Sequence, residues 1–455
     1  MSAMKRLFRP PGLVLLAQVV LVGLWLWLSG RFVPMPVNDT PSYREFPWHS
    51  VHDALTHIRT PGYPAFLAVV APGKNLAAVP IAHYLVYCLS VILFWRGLMS
   101  LGVANWPRAW VASALLYANI LHGYVNTIAS DTLAAALAIA SVGLLFRAIT
   151  KLTLGSLLML ATSVLATCLV RPAYLSLVVF VPILGVLLLI CRRDGRLTGK
   201  QLSRSGGMLV AATFAPLLTY CGLRAIVVGQ FGLVAFGGVN LIGIAGQFLE
   251  PEMVPQLPAD LQPLAVFALE HQPPESKSDV DLMSDAPVLN YQRIENRYDW
   301  TIWDTFLPSA KATETEGGAS TNSRLRRLAQ AIIFDRPGMY VVYLAKAFRR
   351  AVYKIVGDTL LNPYCLALCL GITVQILLRI LRWRMIPSEP ERDPSGYRLL
   401  DVMTLTALLY AVCQMVVVIL VCPPLGRMTD AMALFVPSLL MAILIDRKSA
   451  TPSHD

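Results

Sequence analysis

The chain has 455 residues, of which 56% are hydrophobic and only 14% charged, with a formal net charge of +11. A water-exposed surface needs more charge than that, so a soluble globular domain is excluded as the whole of the protein. The basic excess is scattered over short segments and forms no continuous basic face with interleaved aromatics, which excludes nucleic acid as a partner.

Apolar runs suited to a hydrocarbon core of ~30 Å recur near 13–33, 79–98, 108–124, 131–148, 154–170, 173–190, 207–228, 361–381, 399–421 and 429–446. They predict an all-α polytopic membrane protein of about ten transmembrane helices. The first run follows Lys5, Arg6 and Arg9. It is too long for the apolar region of a signal peptide, and no small-x-small cleavage site follows it, so an uncleaved first span is expected.

Orientation follows from Lys and Arg in the short connections. Arg147 and Lys151 lie in one, and Arg192, Arg193, Arg196, Lys200 and Arg204 in the next. Arg379, Arg382, Arg384, Arg392 and Arg398 follow later, and Arg447 and Lys448 close the chain. With the basic N-terminus they place both termini in the cytoplasm. Three regions result: a transmembrane module over 1–228 with a first outer loop at about 34–78, a large outer loop over 229–360, and C-terminal spans with a cytoplasmic tail over 361–455. Residues 250–323 have the Pro/Asp/Glu/Ser texture of a loop. From Arg324 to Ile355, basic and apolar residues alternate at helical spacing, which predicts either a helix lying on the membrane surface or a helix of an outer subdomain.

The eight cysteines all fall in or beside apolar runs, so no disulfide framework is expected outside the membrane. Cys365 and Cys369 share a helix face but have no third ligand, and read as small core residues. No internal repeat is evident, which weighs against transporters built from two related halves.

Ionisable residues inside a bilayer need a reason. Here they gather at the outer ends of the runs: Asp39 after the first, Asp131 at the start of the fourth and Asp430 at the start of the last, with Arg59, Arg171 and Arg427 at the same level. Taken singly, an Asp there caps a helix, an Arg snorkels to headgroups, and Arg171 before Pro172 makes a turn. Their joint placement at one membrane face is what points to a site.

The run Asn38-Asp39-Thr40-Pro41-Ser42-Tyr43, followed by Arg59-Thr60-Pro61-Gly62-Tyr63-Pro64, resembles the first outer loop of the GT-C glycosyltransferases, in particular bacterial members related to protein mannosyltransferases. Ser130-Asp131-Thr132-Leu133, Val170-Arg171-Pro172, Gly237-Gly238-Val239-Asn240 and Phe334-Asp335-Arg336-Pro337 resemble further family segments, in family order across most of the chain. The chain departs from the family where Arg427 is followed by Met428 rather than Tyr, and in having no second acid beside Asp39.

The resemblance implies a GT-C-like fold with juxtamembrane helices on the outer face. The implied activity is transfer of a hexose or pentose from a polyprenyl-phosphate carrier to an extracytoplasmic protein, lipid or glycan, at the inner membrane of a bacterium. Asp39 is the expected base, and Asp131 the residue that orients the acceptor. Arg59, Arg171 or Arg427 would meet the phosphate. Tyr43, Tyr63, His83 and Asn240 are further candidates for substrate contact. No cofactor is required, although a divalent Mg or Mn held by Asp39 and Asp131 is compatible with the pattern. Two rivals stand beside this reading: a transporter of lipid-linked glycans, and an enzyme of the O-antigen ligase or polymerase kind.

Overall fold

The structure is a computed structural model that describes residues 10–73, 75–192, 197–271, 291–314, 320–382 and 397–446. Lys5, Arg6, Arg9, Arg193, Arg196, Arg384, Arg392, Arg447 and Lys448 lie outside the described residues, as do 272–290 and 315–319. Among the described residues the regular elements are helical, and the extended pairing seen is one isolated parallel bridge between Met35 and Thr127.

Among the described residues, seven helices are long and apolar enough to cross a membrane: Pro10–Leu28, Ala78–Ser100, Asp131–Thr150, Pro172–Ile190, Gly199–Val228, Leu399–Ile419 and Gly426–Asp446. The protein is therefore an all-α, multi-pass membrane protein. A shorter apolar helix of 17 residues, Leu154–Val170, opens on a capping box between Thr153 and Ser156.

Four expectations need correction. The run at 108–124 is not one helix but Asn105–Ala114, a 3-10 turn at Leu115–Tyr117 and a short helix Asn119–Tyr124, parted by an extended Ala118 with ψ 139°. Just after the break, the Asn119 side-chain amide donates to the Asp358 carbonyl at 3.1 Å.

The run at 361–381 begins instead at Pro363, after an 88° bend from the helix Pro337–Leu361. Proline cannot continue the first arm. The Asn362 side chain caps the second by accepting the Tyr364 and Cys365 amides at 3.0 and 3.2 Å. The helix read from Arg324 to Ile355 is two helices, Thr321–Asp335 and Pro337–Leu361, since Pro337 ends the first at Arg336. The loop-like stretch 250–323 also contains helical segments, among them Gln262–Glu270, Tyr291–Trp300 and a π-helical turn at Thr301–Phe306.

The chain forms two compact units. The first comprises Met1–Leu233, Ile355–Gln414 and Asp430–Asp455. Its core is the pairing of Ala78–Ser100 with Asp131–Thr150, where Gly97 and Gly143 let two backbones touch; a Cβ on Gly97 would sit 2.5 Å from the Gly143 oxygen. Small residues at such crossings are how membrane helices pack closely.

The second unit comprises Val234–Lys354 and Met415–Thr429. Its helices Gly237–Ala245 and Thr321–Asp335 pack together. Buried Arg324 ties this unit internally, donating to the Ala310 carbonyl at 2.8 Å and the Thr313 hydroxyl at 2.9 Å. The ion pairs of Glu295 with Arg350 and Lys354 do the same.

Candidate functional site

Within the first unit, successive antiparallel helices bring one set of ends together. These are the C-termini of Pro10–Leu28 and Leu154–Val170, and the N-termini of Ala78–Ser100, Asp131–Thr150 and Pro172–Ile190. The segment 33–73 folds against these ends. Its strand-like start bonds to 126–128 through Met35, with the Met35 amide donating to Asn126 at 2.8 Å and the Ile128 amide donating back at 3.0 Å. The Thr40 hydroxyl then donates to the Ile128 carbonyl at 3.0 Å, which fixes the start of the short helix Thr40–Arg44 beside Asp131.

Two carboxylate–arginine pairs form here. Asp39 accepts from Arg59 Nη2 at 2.6 Å, and both side chains are about a quarter exposed. Arg59 Nε donates to the Ser42 hydroxyl at 2.8 Å, and its guanidinium lies 4.8 Å from the centre of the Tyr43 ring. That face-on placement over an aromatic ring adds cation–π attraction.

The second pair is Arg171 with Asp131, 3.0 Å apart, and here the carboxylate is only 2% exposed. Arg171 Nη1 also donates to the Ser130 hydroxyl at 3.2 Å, and Tyr43 OH lies 3.3 Å from the same oxygen. Ser130 and Tyr43 thus join the two pairs into one polar network.

Below Tyr43 the network continues inward. The Tyr43 and Tyr63 rings meet edge to face at 4.8 Å, and Tyr63 OH lies 3.3 Å from His83 Nε2. His83 Nδ1 lies 3.0 Å from the Val125 carbonyl, which can only accept, so Nδ1 carries the proton. In the neutral ring Nε2 is then the acceptor and Tyr63 the donor. Burial holds the Tyr63 hydroxyl well above its ordinary pKa, which keeps it a donor. Tyr63 and His83 are 0% exposed, so both form the floor of the site; neither is placed to touch a substrate.

Gly62 is what allows the fit. A Cβ there would lie 2.6 Å from the Leu169 and Val170 backbone, so only glycine lets the Arg59–Pro64 turn lie against the chain just before Arg171.

Of the nine sequence candidates, seven (Asp39, Tyr43, Arg59, Tyr63, His83, Asp131 and Arg171) come together in this network. Asn240 and Arg427 belong to the second unit, where the Asn240 side chain accepts from Tyr298 OH at 3.4 Å. Asp430 does not start its helix; it lies within Gly426–Asp446 and is approached by Tyr124 and Asn119. Asp39 and Asp131 each hold an arginine rather than sharing an open space. Among the described residues no group of three or more His, Cys, Asp and Glu is placed to hold a metal ion.

Sequence reasoning passed over Ser42 and Ser130, the hydroxyls that link the pairs, and Gln414. Gln414 is fully buried in Leu399–Ile419; its amide donates to the Ala173 carbonyl at 2.9 Å and its oxygen accepts from Ser176. It thereby holds the turn that follows Arg171. An uncharged amide inside an apolar run was the available signal.

Outside the helix ends, His57 Nδ1 accepts the Arg59 amide at 3.2 Å. Burial is the main cause that lowers the His57 pKa, and the neighbouring Arg59 charge lowers it further.

No family model matches the chain, and no curated protein and no solved structure gives a match to it.

Proposed function

We propose that this protein is a membrane glycosyltransferase that moves a sugar from a polyprenyl-phosphate carrier to an acceptor on the extracytoplasmic side of a bacterial inner membrane, both termini being cytoplasmic. The observation that carries this reading is the Asp39–Arg59 pair, a quarter open to solvent and mounted on a buried polar network at one set of helix ends. A base and a cation are thereby adjacent where an amphiphilic donor places its phosphate and sugar.

In the proposed reaction, the acceptor oxygen attacks the anomeric carbon as the bond from that carbon to the carrier phosphate breaks. The acceptor proton passes to Asp39, and the polyprenyl phosphate leaves with the bonding electron pair. One displacement inverts the anomeric centre, and the leaving phosphate needs no acid.

Arg59 and Asp39 neutralise each other before substrate arrives. The donor phosphate recruits the Arg59 guanidinium by bidentate hydrogen bonds, and this frees the carboxylate to accept a proton. Asp131 and Arg171 hold Ser130 and Tyr43, and through them the bed on which Arg59 rests.

The test supplies membranes bearing the native chain with a panel of radiolabelled polyprenyl-phosphate sugars and crude acceptor. Movement of label from carrier to other material supports the reading. A panel left wholly unconsumed overturns it and favours a transporter of lipid-linked glycans.

A further inference from the structure

Among the described residues, the largest fully buried side chain is a cation outside the network described above. Arg224 lies near the end of the helix Gly199–Val228 and is 1% exposed. Its bonds go to main-chain carbonyls: Nε donates to Leu55 at 2.9 Å and Nη1 to Gly232 at 2.5 Å. Its second terminal nitrogen, Nη2, has no hydrogen-bond partner among the described residues. A buried charge is costly, and a leucine or methionine would fill the same space without that cost, so the arginine must do something that volume alone does not.

Its two acceptors indicate what that is. Leu55 sits in the last turn of the short helix Val51–Thr56, where carbonyls lack helical partners. Gly232 lies in a turn with φ +139°. One planar fork therefore fastens two segments of irregular chain to a membrane helix. Lysine, a single point charge, does not reproduce that geometry.

Arg59 follows Leu55 by four residues, and the connection between them is short and bonded. The His57 amide donates to the Asp53 carbonyl at 3.0 Å, and the Arg59 amide donates to His57 Nδ1 at 3.2 Å. The place of Leu55 is thus passed to Arg59 within a few bonds.

We propose that Arg224 is a positioning residue for Arg59. By holding the Leu55 carbonyl it fixes the segment 51–61 at the helix ends, so that the Arg59 guanidinium stands ready for the donor's phosphate. Arg224 itself touches no substrate. The inference rests on the glycosyltransferase reading for its kinetic consequence, and on the geometry alone for its structural one.

The full chain in membranes tests both. Arg224→Met keeps the volume, Arg224→Lys keeps the charge, and Leu209→Ala damages the other half of the same helix at a fully buried position. Hydrogen exchange over 51–61 is measured together with steady-state transfer of labelled sugar. For Arg224→Met we expect faster exchange over 51–61, a donor KM raised about tenfold and kcat within about twofold of native. Arg224→Lys recovers part of both losses, and Leu209→Ala reproduces neither.

Unchanged exchange in Arg224→Met overturns the tether. Faster exchange with unchanged KM overturns the positioning role, as does a Leu209→Ala variant that behaves like Arg224→Met. Should Arg224→Met fail to fold, Arg224→Lys decides by the same two readouts. If the native chain transfers no sugar, it is the functional reading that has failed, and the exchange arm still decides the tether.

Discussion

The two carboxylate–arginine pairs have the same chemistry and opposite surroundings. Asp131 and Arg171 are buried between helix ends, whereas Asp39 and Arg59 are each about a quarter exposed on a loop. A buried pair cannot exchange partners without stranding a charge in a medium of low dielectric. An exposed pair loses little when a new anion arrives, because water screens both groups. In the proposed reaction the first pair therefore serves as framework and the second as the part that reacts, a division that the charge pattern alone does not show.

Breaking each pair in turn sharpens that division. Removing one partner of the buried pair, as in Arg171→Ala, is expected to destabilise the folded chain by about 3–5 kcal/mol. Arg59→Ala is expected to cost about 1 kcal/mol or less. Unfolding of the purified protein in detergent reads both, and equal losses would remove the distinction.

The contact that brings the two pairs together is the next to break. Gly62→Ala forces a methyl group into the Leu169–Val170 backbone, an overpacking expected to cost about 1–3 kcal/mol. The same unfolding assay reads it. A neutral result would mean that the Arg59 turn is free to shift and that the joint network is not rigid.

A smaller effect concerns pH and the exposed pair alone. The folded chain holds the His57 pKa below its ordinary value of 6.5, so the native state favours the neutral ring. Above that value the native state pays no penalty. As pH falls below 6.5 the unfolded chain binds the proton first, stability declines, and the bond from the Arg59 amide to Nδ1 is lost. His57→Asn, which keeps an acceptor but does not titrate, should flatten the decline between pH 7 and 5, and an identical profile would exclude His57.

The division of labour also explains what could be read from sequence. The runs at 79–98 and 131–148 match membrane-length helices because hydrophobic length alone decides them. The run at 108–124 misled because hydropathy does not register the extended Ala118 at which the helix breaks. Asp39, Arg59, Asp131 and Arg171 stood out as charges placed at span ends. Which pair is buried depended on the packing of Gly62 and on Ser130, neither of which a charge pattern reveals. Arg224 was equally hidden, since an arginine close to a helix end reads as one snorkelling to headgroups.

The measurement closest to the central claim compares native chain with Asp39→Asn in membranes supplied with a radiolabelled polyprenyl-phosphate sugar and acceptor. Asparagine keeps the size of the side chain and an acceptor for Arg59 but cannot take the proton. Transfer is predicted to fall by about 10²–10⁴-fold with donor binding retained, the loss expected for a general base. Transfer at the native rate would contradict the account and place the chemistry elsewhere.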